Sequence, residues 1–279
     1  MQVGSRQPAL VFGCLLCQNF GIQPVISFFK RLLPNRARRW LSAQKLKGTR
    51  SMLPLDRVTD FSQLRRVKPY RPSFGWFRGQ CIDRVYIEQF LSRNHHDIRG
   101  RCLEVGESQY MSRYGSTRIA KAEVLDVLPR QDVTVVADLT NAPAIPSVSF
   151  DCILCTQVLM YIYDVRAAVD TIFRILAPGG VALVTVAGIS QIAPPSMMAE
   201  GGEFWRFTRA SAQRLFADVF GEENVTVESF GNVLAATAFL HGLVAAELTA
   251  EELAFNDPDY PVTIAVRAIK APYQAAPNA

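Results

Sequence analysis

Five short apolar runs, each closed within two residues by a glycine, a proline or a polar residue, set the strongest constraint on how this chain folds. They fall at 102–105, 123–127, 133–137, 151–156 and 181–186. Between the fourth and fifth, Val165, Ala168, Val169, Ile172, Phe173 and Leu176 recur at helical spacing behind Asp164, a residue suited to cap the first turn. That helix is expected to stop at Pro178-Gly179-Gly180, where a turn leads into 181–186, a run apolar enough to be buried on both faces. Short strands alternating with amphipathic helices specify a parallel sheet joined by right-handed crossovers. The same reading gives helices at 82–94, 211–220 and 233–248, and further strands at 225–230 and 262–269.

Charge divides the chain in two. The 279 residues carry a net charge of +5, but residues 1–72 hold 14 lysines and arginines against only Asp56 and Asp60, and the remainder is net negative. A basic N-terminal extension or linker over 1–72 and a catalytic-sized domain over 73–279 are therefore expected. Within the extension, Phe28, Phe29, Leu32, Leu33, Trp40 and Leu41 lie among Lys30, Arg31, Arg36, Arg38, Arg39 and Lys45. Two readings stay open: peripheral contact of residues 25–50 with an anionic membrane surface or acidic polymer, or a solvated helix packed on the main domain. No base-reading motif accompanies the charge, so no specific nucleic acid partner is expected.

The first 29 residues contain no apolar run of the ~20 residues a membrane span needs, and no clear cleavage site follows them. Six scattered cysteines suit a reducing, cytoplasmic compartment, with attachment at the inner membrane surface as the corollary of the basic segment. Cys152 and Cys155 belong on opposite faces of one strand, and Cys14 and Cys17 have no partner ligands nearby. Buried apolar cysteine is the reading for these pairs, with no metal.

In an open parallel sheet, ligands sit at the carboxyl ends of the strands. The first run ends Glu104-Val105-Gly106-Glu107, where a glycine admits a ligand close to the backbone and a carboxylate suits a cationic amine. Twenty residues after Gly106 stands Asp126, followed by Val127. A carboxylate there can accept two hydrogen bonds from a ribose diol, each contributing about 1.5–3 kcal/mol. Asp138-Leu139 closes the third run and Thr156-Gln157 the fourth. Asp126 and Asp138 also suit plain turns or helix caps. Glu104, inside an apolar strand end, must find a donor or lose its charge.

As an ordered set, Leu103-Glu104-Val105-Gly106, Asp126, Ala137-Asp138-Leu139, Phe150-Asp151-Cys152-Ile153 and Leu176-Ala177-Pro178-Gly179-Gly180 resemble the motifs of class I S-adenosylmethionine-dependent methyltransferases of the type 11 kind. The similarity runs from about Gly79 to Lys270. It implies an α/β, Rossmann-like doubly wound sheet of seven strands in the order 3-2-1-4-5-7-6, mostly parallel with one antiparallel strand. It implies S-adenosyl-L-methionine as cofactor, with Glu104, Val105, Gly106 and Glu107 beside its methionine part. Asp126 and Val127 would then hold the ribose, Asp138 and Leu139 would edge the adenine, and Thr156 and Gln157 would lie near the sulfonium.

The chain departs from the pattern in two places. The glycine-rich turn keeps only its first glycine (Glu104-Val105-Gly106-Glu107-Ser108-Gln109-Tyr110), and only 12 positions separate Asp126 from Asp138. A cofactor-free scaffold of the same fold is therefore the alternative. A nicotinamide oxidoreductase is the second, disfavoured because Gly-x-Gly-x-x-Gly is absent.

For the acceptor, His241 is the candidate base, with a core histidine on an apolar helix as the competing reading. His95-His96 is expected in an exposed loop. Trp205 and Arg206, in the segment 203–208, and Tyr161 are candidate acceptor contacts; a packed aromatic loop is the alternative for the segment. Trp76-Phe77-Arg78-Gly79 and Tyr86 are candidate lid residues. Similarity to bacterial methyltransferases that accompany glycosyltransferases in surface-polysaccharide pathways implies a sugar hydroxyl as acceptor.

Overall fold

The structure, a computed structural model, describes residues 65–193 and 202–272. Residues 25–50, Cys14 and Cys17 lie outside the described residues. The chain divides into two units, 1–65 and 66–279, and the second carries everything below. Residues 66–72, assigned to the extension on charge, group with this second unit, and the Arg71 N–H donates to the His241 carbonyl at 3.0 Å.

Seven strands form one sheet: β1 (Gly100–Val105), β2 (Ile119–Asp126), β3 (Val135–Val136), β4 (Phe150–Thr156), β5 (Leu176–Ala187), β6 (Val225–Phe230) and β7 (Thr263–Ile269). Their order is β3-β2-β1-β4-β5-β7-β6, and only β7 runs against its neighbours. This is the expected seven-stranded Rossmann-like topology. Five helices accompany it among the described residues: α1 (Ile82–Arg93), α2 (Val165–Ile175), α3 (Arg209–Phe220), α4 (Val233–Leu240) and α5 (Ala250–Ala254).

Each face of the sheet has its own core. On one, α2 and α3 set Val169, Ile172, Phe216 and Phe220 against Leu103, Ile153, Val184 and Ile264. On the other, α1 and α4 set Tyr86, Ile87, Phe90 and Phe239 against Cys102, Cys152, Leu183 and Ala265. Cys155 lies in the first core and Cys152 in the second, as strand alternation requires. The Asp164 carboxylate caps α2 by accepting from the Ala167 N–H at 3.1 Å.

Three elements depart from the periodicity. Gly179 and Gly180 lie within β5, because the Gly179 N–H donates to the Lys270 carbonyl and the Lys270 N–H to the Gly180 carbonyl at the end of β7. The run 133–137 shortens to the two-residue β3, clipped to β2 by Thr134, whose N–H reaches Val124 O and whose hydroxyl accepts from Val124 N. The apolar stretch 233–248 is helical only to Leu240. Gly242 then takes a φ of +68° and packs so tightly on the Arg71 carbonyl that a side chain could not fit.

Candidate functional site

The carboxyl ends of β1, β2, β4 and β5 open into a cleft of about 970 Å³, beside a second cavity of about 570 Å³. Val105, Gly106, Asp126, Val158 and Tyr161 line both. Gly106 stands where the two meet. Its φ is +98°, a conformation that L side chains rarely adopt, and a Cβ built there would meet nothing within 4 Å. The space above this turn is thus open for a ligand to approach the backbone.

Glu104 is 1% exposed, and its carboxylate accepts the Tyr110 N–H at 3.1 Å and the Met111 N–H at 2.7 Å. The donors that its burial demands come from the chain itself. Glu104 thereby anchors the turn that continues into the π-helical segment Met111–Gly115. With two glycines missing, the turn is shaped by a buried carboxylate rather than by backbone freedom. Burial pushes the Glu104 carboxyl up to about 7, against the pull of the Met111 and Tyr110 amides. Both oxygens are engaged with the turn, so Glu107, exposed at the cleft edge, is the carboxylate of this pair left open for an amine.

Asp126 is also occupied. One oxygen accepts the Leu128 N–H at 2.9 Å, and the other pairs with Arg130 at 2.7 Å. The same Arg130 nitrogen donates to the Gly106 carbonyl. Val127 is exposed and lines the smaller cavity. Asp138 accepts the Thr140 N–H and hydroxyl at 2.8 and 2.9 Å, a side-chain-closed turn that also sets it in the smaller cavity beside the buried Leu139. Its turn role and its place in the site are the same geometry.

Thr156 and Gln157 line the larger cleft. Gln157 has a φ of +56° and is locked by its N–H to the Thr185 carbonyl at 2.8 Å. Strain of this kind collects where a side chain must be aimed at a ligand. Tyr161, in the 3-10 turn Leu159–Tyr161, lines both cavities, and burial with the nearby Glu203 charge raises its phenol.

The remaining candidates are placed elsewhere. The Trp205 indole N–H donates to the Ile162 and Tyr163 carbonyls, and its ring stacks on Tyr163. Arg206 pairs with Glu203 at 2.6 Å and donates to the Gln191 carbonyl. Neither lines the cleft; Glu203 does. The segment packs as an aromatic loop, and its chemistry reaches the cleft through a residue that was not singled out. His241 ends α4 with its ring 5.2 Å from that of Tyr70, outside both cavity linings. Its backbone ties it into the fold, the carbonyl accepting from the Arg71 N–H and the N–H donating to the Thr237 and Ala238 carbonyls. Trp76 reaches the cleft rim, but Tyr86 is buried against Phe230 and is no lid. His95 and His96 are exposed.

Sequence reading singled out neither Asp83 nor Arg84 as a site residue. Both line the cleft. Arg84 donates to the Tyr110 hydroxyl at 2.7 Å, and burial raises the Asp83 carboxyl against the opposing pull of Arg84. Charged residues in a first helical turn carry no sequence mark that separates a cleft wall from a solvated face.

Residues 88–184 match the family model described as a methyltransferase domain. That match covers the segment from α1 to β5 in which every cofactor-side candidate stands, on a sheet of the strand order the resemblance implied. Over residues 88–184 the chain is thus similar to a methyltransferase domain, on a sheet with the class I strand order. Similar solved structures include an S-adenosylmethionine-dependent methyltransferase from Archaeoglobus fulgidus (11% identity, TM-score 0.47, covering 70% of this chain and 96% of that one). Another comes from Mesorhizobium loti (18%, TM-score 0.43, 67% and 97%). A third is the N-methyltransferase NodS from Bradyrhizobium japonicum WM9, in complex with S-adenosylhomocysteine (15%, TM-score 0.44, 70% and 90%). At such identities and scores these likenesses carry no argument about chemistry. No curated protein matches the chain. The match leaves Asp83, Arg84 and Glu203, which line the larger cleft, outside its bounds.

Proposed function

We propose that this methyltransferase domain is active and methylates a small-molecule acceptor, with a sugar hydroxyl as the acceptor class. The observation that carries the reading is the convergence of Gly106, Asp126, Asp138, Leu139, Thr156 and Gln157 on two adjoining cavities at the strand ends. The open space over Gly106 fits S-adenosylmethionine, which supplies an electrophilic methyl on a sulfonium. Leu139 and Asp138 would face its adenine and Asp126 its ribose. Arg84, fixed by Tyr110, would face the methionine carboxylate, and Glu107 the amine.

Methyl transfer is an in-line displacement in which a carbon–sulfur bond breaks as an oxygen–carbon bond forms. The protein's main contribution is alignment, which can supply on the order of 7–11 kcal/mol. Tyr161, Gln157 and Glu203 wall the acceptor side. Asp83, with its carboxyl raised by burial, takes the proton that a hydroxyl acceptor releases. The basic residues 25–50 would bring the enzyme to an anionic surface.

Calorimetric titration tests the reading. S-adenosylhomocysteine is expected to bind and NAD is not. Arg84→Ala should weaken S-adenosylhomocysteine about tenfold, and leave 5′-methylthioadenosine, which lacks the carboxylate, unchanged. NAD binding without S-adenosylhomocysteine binding would establish an oxidoreductase. Binding of neither, with no thermal shift, would establish the cofactor-free scaffold.

A further inference from the structure

The ion pair over the Gly106 turn has a consequence for ligand entry. Resting on the cofactor reading above, we propose that Arg130 fills the ribose seat of the unliganded protein, so that a ligand enters only by displacing its guanidinium.

Only 12 positions separate Asp126 from Asp138, and no helix forms between β2 and β3. The connecting loop is instead folded back on the strand ends. Thr134 pins its far end to Val124, the Val133 N–H closes a turn on the Arg130 carbonyl, and the Leu128 N–H bonds Asp126 at its near end. Arg130 is therefore carried on a short, clipped loop four residues beyond the carboxylate it pairs with.

Its position matters more than the pair itself. One terminal nitrogen contacts both the Asp126 carboxylate and the Gly106 carbonyl. Gly106 and Asp126 are two of the residues common to both cavities. An elongated ligand occupying both cavities must cross this point, and a diol held by Asp126 must meet the oxygen Arg130 now contacts. The Arg130 side chain is 45% exposed, so it can swing into solvent, whereas the Asp126 side chain is only 17% exposed and stays. The cation is the movable partner.

The competition is electrostatic, and its sign is testable. Salt screens a half-exposed ion pair and so weakens the competitor. Arg130→Ala keeps every other charged contact to the ligand, so salt acts on those equally in both proteins. Wild-type affinity should then rise with ionic strength relative to that of Arg130→Ala.

Titration of the full-length protein and Arg130→Ala with S-adenosylhomocysteine at low and high sodium chloride decides the matter. The expected result is about threefold to tenfold tighter binding by Arg130→Ala at low salt, with the difference closing at high salt. Asp126→Asn keeps the oxygen that accepts from Leu128 and removes the charge, so it should also flatten the salt dependence. Weaker binding by Arg130→Ala than by wild type would overturn the inference and make Arg130 part of the ligand seat. A salt response identical in both proteins would overturn it as well. Absence of binding by both proteins at every salt would overturn the cofactor assignment, and this inference with it.

Discussion

Glu104 shows how one side chain can replace a missing motif. Glycines in this turn ordinarily let the backbone curl close to a ligand; here a buried carboxylate draws the Tyr110 and Met111 amides around itself. The arrangement has a pH signature. The carboxyl is raised from 4.5 to about 7 in the folded protein, chiefly by burial. The native state therefore binds the Glu104 proton more tightly than the unfolded chain. The stability linked to that proton is fully present below about 4.5 and is lost as pH rises through about 7. Denaturant unfolding at pH 5 and pH 8 should show wild type losing on the order of 3 kcal/mol more than Glu104→Gln across that window. Equal losses in the two proteins would place the titration elsewhere.

At the scale of elements, the wall that Phe239 gives the larger cleft depends on how α4 is seated. Asn232 is 5% exposed and works in two directions. Its oxygen caps α4 by accepting the Ala235 N–H at 2.9 Å, and its nitrogen donates to the Glu252 and Phe255 carbonyls around α5. Alanine there removes a cap, contributing about 1 kcal/mol, and strands carbonyls that cost about 1–3 kcal/mol more when buried. Urea unfolding of Asn232→Ala should register a loss of about 2–4 kcal/mol. Asn232→Asp, which keeps the cap but cannot donate, should fall between the two. The loop between β2 and β3 makes a related point. Where a helix would have pushed it away from the strand ends, its brevity folds it over them and brings Arg130 to Asp126.

At the scale of the whole molecule, a domain poor in net positive charge is preceded by a strongly basic segment. If residues 25–50 attach the enzyme to an anionic surface, the full chain should pellet with vesicles containing anionic lipid at low salt, and release at about 0.5 M salt. A protein of residues 66–279 should stay in the supernatant while binding S-adenosylhomocysteine as before. Equal pelleting by both proteins would remove the basic segment from that role. Among the described residues, no helix is long and apolar enough to cross a membrane.

Sequence alone was enough for the sheet. Apolar runs of strand length, a helix with Asp164 at its cap, and a glycine or polar residue near the end of each strand are local properties, written in periods of 2.0 and 3.6 residues, whereas the strand order came from the family resemblance. The ends of those strands must then lie together, so Gly106, Asp126, Asp138 and Gln157 were legible as one site. The partners those residues take were not legible. That Glu104 turns to its own backbone and that Arg130 covers Asp126 depend on how two local loops fold. That Glu203 rather than Trp205 or Arg206 meets the cleft, with His241 away from it, depends on distances between segments far apart in the chain. Hydrophobic periodicity says which face of an element is buried. Which polar side chain reaches which other is decided only when the elements pack, because a charge accepts the nearest donor that folding brings to it.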